Sequence, residues 1–284
     1  GAQTKGVFHV YVKLSAGLVI GKYLLNPLFM TDNITWIEST SLAHGPTADA
    51  FALARRRRVP TITVLRHPIA RIVAHFWVTH VDGDFAAWKA RGLAKKRRGY
   101  DGATRFWMEL ENVYTKIFSA HDDRRGRPPD ADSLTAADAT LAESFDAVVI
   151  AEWLENPSTV AWLGDLLCFE HANGVLANRF PSLKRRRRRR GGKDFEGFRG
   201  RSYESADFWR TIAPDLEDLA TRNALDLELY ERAARRTEHR MTRHWVQSQD
   251  GPPPTLPALP CSGNGAHCWD LKRGGPPRDV AKAV

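Results

Sequence analysis

Apolar positions along this chain fall into two patterns, short uncharged runs and longer segments with helical spacing. Thr61-Ile62-Thr63-Val64-Leu65 is β-branched and uncharged, the pattern of a strand buried on both faces of a parallel sheet. Arg66-His67-Pro68 interrupts the run, and Ile69, Ile72, Val73 and Phe76 then recur at helical spacing. The expectation is strand, tight turn, helix, with Pro68 near the helix start where its missing N–H costs little. Gly6 to Val12, GVFHVYV, predicts a first strand, followed by the small-residue segment Lys13 to Gly17 and an apolar, helical Leu18 to Leu25. Trp36-Ile37-Glu38 predicts a short strand, and Ala48 to Leu53 a helix that Arg55 to Arg58 continue as a solvated basic end. A helix is expected over Thr104 to Ser119, with Phe106, Leu110, Val113 and Ile117 as its apolar stripe. Ala147 to Ile150 predicts a strand, followed by Glu152, a turn at Asn156-Pro157, and a helix from Ser158 with Asn156 or Ser158 as cap. Tyr203 to Trp245 reads as helical throughout, with Leu216, Leu219, Leu225, Leu229 and Tyr230 among its apolar positions. His80 to Tyr100 reads as basic and irregular, and His121 to Asp138 as an exposed loop.

Strands alternating with helices predict an α/β fold with a central parallel sheet flanked by helices. The expected division is one domain over 1–246, with a basic low-complexity excursion at about 184–201, and a Pro/Gly-rich disordered tail over 247–284. With 284 residues, 43% of them hydrophobic, the chain is long enough to bury a sizeable core. No run of 18 uncharged apolar residues occurs, so no membrane-spanning helix is expected in these residues. The start at Gly1 rather than Met leads to the expectation of an upstream segment, an anchor or a signal.

Charge narrows the partners. A formal net charge of +9 and a pI near 9.7 favour anions: nucleic acid, an acidic membrane, a nucleotide or an acidic glycan. The chain lacks a helix-turn-helix, finger or RNP signature, which disfavours nucleic acid even though Arg185 to Arg190 are six consecutive arginines. Cys168 lies in an apolar run and reads as a buried thiol, whereas Cys261 and Cys268 flank a short loop and would be able to pair in an oxidising lumen. His267 beside Cys268 is too little for zinc, and no metal site is expected. Asn33-Ile34-Thr35 is a glycosylation sequon.

Two segments carry candidate chemistry. Arg66, at the carboxyl end of a strand and beside a helix start, would form an anion site from its guanidinium and free backbone N–H groups. The loop after the first strand combines small residues, which let backbone N–H groups approach phosphate oxygens, with the point charge of Lys13; it is not a Walker A motif.

These segments resemble those of sulfotransferases that use 3′-phosphoadenosine-5′-phosphosulfate (PAPS), especially the membrane-type carbohydrate sulfotransferases related to heparan sulfate 2-O-sulfotransferases. Arg66-x-Pro68-x-x-Arg71-x-x-Ala74-x-Phe76 resembles the family's 3′-phosphate segment, with Ala74 where the family has serine. Lys13-Leu14-Ser15-Ala16-Gly17 resembles its 5′-phosphosulfate loop, with Val12 in place of the usual proline and Leu14, Leu18 and Val19 where hydroxyl side chains are common.

The resemblance covers roughly Gly6 to Arg236 and implies a P-loop NTPase-like sulfotransferase fold, PAPS as co-substrate, no metal, and a glycan acceptor, anionic or neutral. It implies that Lys13 contacts the bridging and sulfuryl oxygens, that Leu14, Ser15, Ala16 and Gly17 line the phosphosulfate loop, and that Arg66 and position 74 hold the 3′-phosphate. His44, in a polar loop 22 residues before Arg66, matches the family's general base, a role that suits an imidazole near neutral pH. His75 and His80 are the next candidates for that role. Glu111 to Lys116 resembles a segment near the nucleotide and acceptor cleft, Glu152 a glutamate after a strand, and Asn223 to Tyr230 the closing helix. A Golgi lumenal location, anchored through an upstream segment, follows from the same resemblance. Two alternatives stand beside it: a catalytically inactive relative that binds acidic glycans, and a basic nucleic-acid-binding protein.

Overall fold

The computed structural model describes residues 6–10, 35–39, 56, 60–79, 84–95, 110–120, 127–154, 156–166 and 206–248. In chain order the elements are strands β1 (Gly6–Val10), β2 (Thr35–Ser39) and β3 (Thr61–Leu65), and helices α1 (Pro68–Thr79), α2 (Phe85–Lys95), α3 (Val113–Phe118) and α4 (Ala131–Glu143). Strand β4 (Ala147–Ile150) follows, then a 3₁₀ turn (Ala151–Trp153) and helices α5 (Pro157–Leu166), α6 (Ala206–Arg222) and α7 (Ala224–Ser248).

The fold is α/β. The four strands form one parallel sheet in the order β2-β1-β3-β4, with Val10 of β1 opposite Thr63 of β3, and Leu65 of β3 opposite Ile150 of β4. Every residue of β3 and β4 is buried, as an uncharged run covered on both faces requires. The outer edge of β4 is covered by α7: the Thr237 hydroxyl donates to the Val148 carbonyl at 2.7 Å, and the Arg240 guanidinium donates to the carbonyls of Ala142, Phe145 and Asp146.

Two apolar clusters hold the helices. One joins β3 and β4 to α3, α4, α5 and α7; the other joins α1, α2 and α6 through Ile72, Phe76, Phe85, Trp88 and Leu216. Phe76 meets the rings of Phe85 and Trp88 edge-on at centroid distances of 5.0 and 5.5 Å. Full burial of an aromatic side chain of this size stabilises by about 1.5–3 kcal/mol.

The structure corrects the sequence reading in four places. The helix expected over Thr104 to Ser119 is not helical at Leu110 to Asn112: α3 begins only at Val113, after Asn112 in a left-handed backbone, and Leu110 packs in a different cluster from Val113 and Ile117. The stretch read as irregular between His80 and Tyr100 contains α2, started by Asp84, whose side chain accepts the Ala86 N–H at 2.9 Å. The stretch read as a loop between His121 and Asp138 runs into α4, capped by Asp130, whose side chain accepts from the Ser133 backbone at 2.9 Å. The helical stretch from Tyr203 to Trp245 is two helices, because the buried Asn223 side chain donates to the Leu110 carbonyl at 2.6 Å and ties the break to the start of α3.

Candidate functional site

The chain leaves β3 at Leu65 and enters α1 at Pro68, so Arg66 and His67 form the whole connection. Tyr114 of α3 clamps it from one side: its hydroxyl accepts the Arg66 N–H at 3.2 Å and donates to the Arg66 carbonyl at 2.9 Å. Glu152, in the 3₁₀ turn after β4, holds it from another. Its Oε1 accepts the His67 N–H at 2.9 Å, and its Oε2 accepts the Tyr230 O–H at 2.8 Å. The His67 ring stands edge-on to Tyr230 with centroids 5.5 Å apart. Glu111 to Lys116, Glu152 and Asn223 to Tyr230, three segments the resemblance singled out, thus each send a side chain to the Arg66 turn.

The turn is buried, with Arg66 7% exposed and His67 2%. Burial pulls the Arg66 guanidinium pKa down, and Glu152 pulls it back up; arginine remains charged. Burial, aided by Arg66, lowers His67 from 6.5 to about 4, so its ring is neutral near pH 7. Burial raises the Glu152 carboxyl against its donors and Arg66, and burial together with Glu152 raises Tyr230 well above the usual phenol value. Tyr230 therefore acts as a donor to Glu152.

Arg71, one turn into α1, is 3% exposed, and its guanidinium carbon lies 5.6 Å from the centre of the Tyr114 ring. Its Nε and Nη2 are buried with no acceptor among the described residues, and its charge faces Asp226 of α7.

The strand order decides where a ligand would sit. From β1 the chain goes to β2 on one side and to β3 on the other, so the order reverses between β1 and β3. In open parallel sheets the crevice at the carboxyl ends of such a strand pair is the ligand position. The Arg66 turn follows the carboxyl end of β3. Lys13, Leu14, Ser15, Ala16, Gly17 and His44 lie outside the described residues. Ala74 lies within α1. His75, an alternative base, is placed in the core: it is 1% exposed and its ring meets Trp88 edge-on at 5.5 Å. His80 lies outside the described residues.

The residue pattern points to Arg66, and the resemblance to the three segments around it, but neither gives the contacts that hold the turn. Tyr114 is 48 positions away and Glu152 is 85 positions from His67, and no local pattern links such residues. Among the described residues, no helix is long and apolar enough to cross a membrane. No family model, no curated protein and no solved structure matches this chain.

Proposed function

We propose that this chain is a PAPS-dependent carbohydrate sulfotransferase of P-loop NTPase-like fold. The observation that carries the reading is the reversal of strand order between β1 and β3. The two segments read as phosphate-binding, Lys13 to Gly17 and the Arg66 turn, follow these two strands. Lys13 is three residues beyond Val10, within about 11 Å of it along the chain, and Val10 is paired with Thr63, two residues before the end of β3.

In the proposed reaction His44 takes the proton of a sugar hydroxyl, and the oxygen attacks the sulfur of PAPS in line. The bond from sulfur to the bridging phosphate oxygen breaks, which gives a sulfate ester and adenosine 3′,5′-bisphosphate. Lys13 and the loop N–H groups neutralise charge on the departing phosphate oxygen, and Arg66 anchors the 3′-phosphate. The acceptor is a glycan, and the setting is the Golgi lumen.

The test is calorimetric titration of the chain with adenosine 3′,5′-bisphosphate and with AMP, followed by turnover of PAPS against a panel of glycans. Selective bisphosphate binding with turnover supports the reading. A folded chain without bisphosphate affinity overturns it, and binding without turnover on any glycan leaves an inactive glycan-binding relative.

A further inference from the structure

The place an anion would take at the start of α1 is held by a side chain of the chain itself. The His67 N–H points at Glu152 Oε1 at 2.9 Å, and Tyr230 holds Oε2 at 2.8 Å. The charged and titratable groups around this carboxyl come from each neighbouring element. Among the described residues they are Arg66 and the neutral His67 from the turn, with Arg71 acting on Arg66 from α1, Tyr114 from α3 and Tyr230 from α7. Arg66 is, among the described residues, the cation that acts on it directly.

A phosphate monoester seeks the same guanidinium, and near pH 7.5 it carries nearly two negative charges. Two anions that share a buried cation raise each other's pKa until one is neutralised. Of the two, the carboxyl is the one that burial already favours in its neutral form.

Resting on the sulfotransferase reading, we propose that Glu152 is the resident counter-anion of the Arg66 turn and takes up one proton from solvent when the nucleotide 3′-phosphate binds. The proton bonds to Oε2. The Tyr230 hydroxyl, which is both donor and acceptor, rotates to accept from it, while Oε1 keeps the His67 N–H. The Tyr230 O–H···Oε2 hydrogen bond is thereby exchanged for Oε2–H···Oη, and the O–H bond on Oε2 is the only covalent bond formed. Glu152 is then a positioning residue that sets the pH dependence of nucleotide binding, and glutamine at this position mimics its protonated form.

The experiment is calorimetry of the full chain with adenosine 3′,5′-bisphosphate at pH 7.5 in two buffers of different protonation enthalpy, which counts protons. The wild type is expected to take up about one proton per nucleotide. Glu152→Gln is expected to take up almost none and to bind about tenfold tighter at pH 7.5, an advantage that shrinks as the pH is lowered. Bisphosphate binding by the wild type without proton uptake overturns this inference and leaves the sulfotransferase reading standing, as does an unchanged proton count in Glu152→Gln. A folded wild type that does not bind the bisphosphate overturns both. If circular dichroism shows Glu152→Gln unfolded, the wild-type proton count decides.

Discussion

Asp226, in the first turn of α7, caps α3 through Tyr114: its Oδ2 accepts the Tyr114 N–H at 2.9 Å, and its Oδ1 accepts the Thr115 N–H at 2.8 Å and the Thr115 hydroxyl at 2.9 Å. These are the second and third residues of α3, the donors that a local N-cap would satisfy. The local residue, Asn112, adopts a left-handed backbone with φ 48° and provides no side-chain cap. Asn112 instead donates its N–H to Asn223 Oδ1 at 2.9 Å and its side-chain amide to the Arg222 carbonyl at 2.9 Å. The start of α3 and the α6–α7 junction are therefore interlocked, and α3 carries the Tyr114 that clamps Arg66.

Asp226→Asn tests the cap. An amide offers one oxygen where the carboxylate offers two, and its NH₂ would face a backbone N–H. The substitution is expected to cost about 1–3 kcal/mol in urea denaturation, the penalty of a buried donor without an acceptor. A loss below about 0.5 kcal/mol would mean that the cap contributes little.

Arg66 and Glu152 should be coupled. Arg66→Met removes the cation beside a buried carboxyl and is expected to cost roughly 3 kcal/mol. In the double variant Arg66→Met/Glu152→Gln, the loss should fall short of the sum of the two single losses by about 1–3 kcal/mol. Bisphosphate affinity should stay lost in the double variant although the two stability losses do not add. Strict additivity in the denaturation cycle would refute the coupling.

His67 should give the fold an acid-sensitive component. Its folded pKa of about 4 lies below the ordinary 6.5, so the unfolded chain binds the proton more readily. Stability is full above about pH 6.5 and is lost as the pH falls toward 4, by roughly 3 kcal/mol. Glu152 and Asp226, both raised by burial, act in the opposite sense and gain stability as the pH falls through their folded values. His67→Phe keeps a ring and removes the imidazole titration, so its denaturation midpoint should drop less than that of the wild type between pH 7 and pH 4.5. Parallel drops would count against this assignment.

Arg71 should matter less to stability than Arg66. Its buried guanidinium lacks acceptors for two of its nitrogens among the described residues. Asp226, the carboxyl that the guanidinium charge faces, keeps the donors of Tyr114 and Thr115 when Arg71 is removed and so is not left unpaired, the condition under which losing one buried charge costs most. Arg71→Met, which gives up the Tyr114 ring face and the Asp226 charge, is expected to change stability by no more than about 1 kcal/mol. A thermal melt showing a loss near that of Arg66→Met would show that Arg71 holds Asp226 in place.

The strand, turn and helix from Thr61 to Thr79 were legible because a β-branched run, a proline and a 3.6-residue period all act over a few residues. The cap of α5 was legible for the same reason, and of the two residues considered it is Asn156, whose Oδ1 accepts the Ser158 N–H at 2.9 Å. Helices α2 and α4 also had local signals, an aspartate followed by Phe85 and Trp88, and another followed by Leu134, Ala137 and Leu141, all buried. Their charged and polar faces outweighed those signals in the reading, because composition records how much charge a segment has and not which face bears it. The sequence by itself determined that an arginine stands between a buried strand and a helix start, since neighbouring residues suffice for that. Only the tertiary structure decided that Tyr114, Glu152 and Tyr230 hold this arginine's turn, and that Glu152 acts on its charge. Burial and electrostatics sum over every element packed against a group, and these elements lie tens of residues apart in the chain.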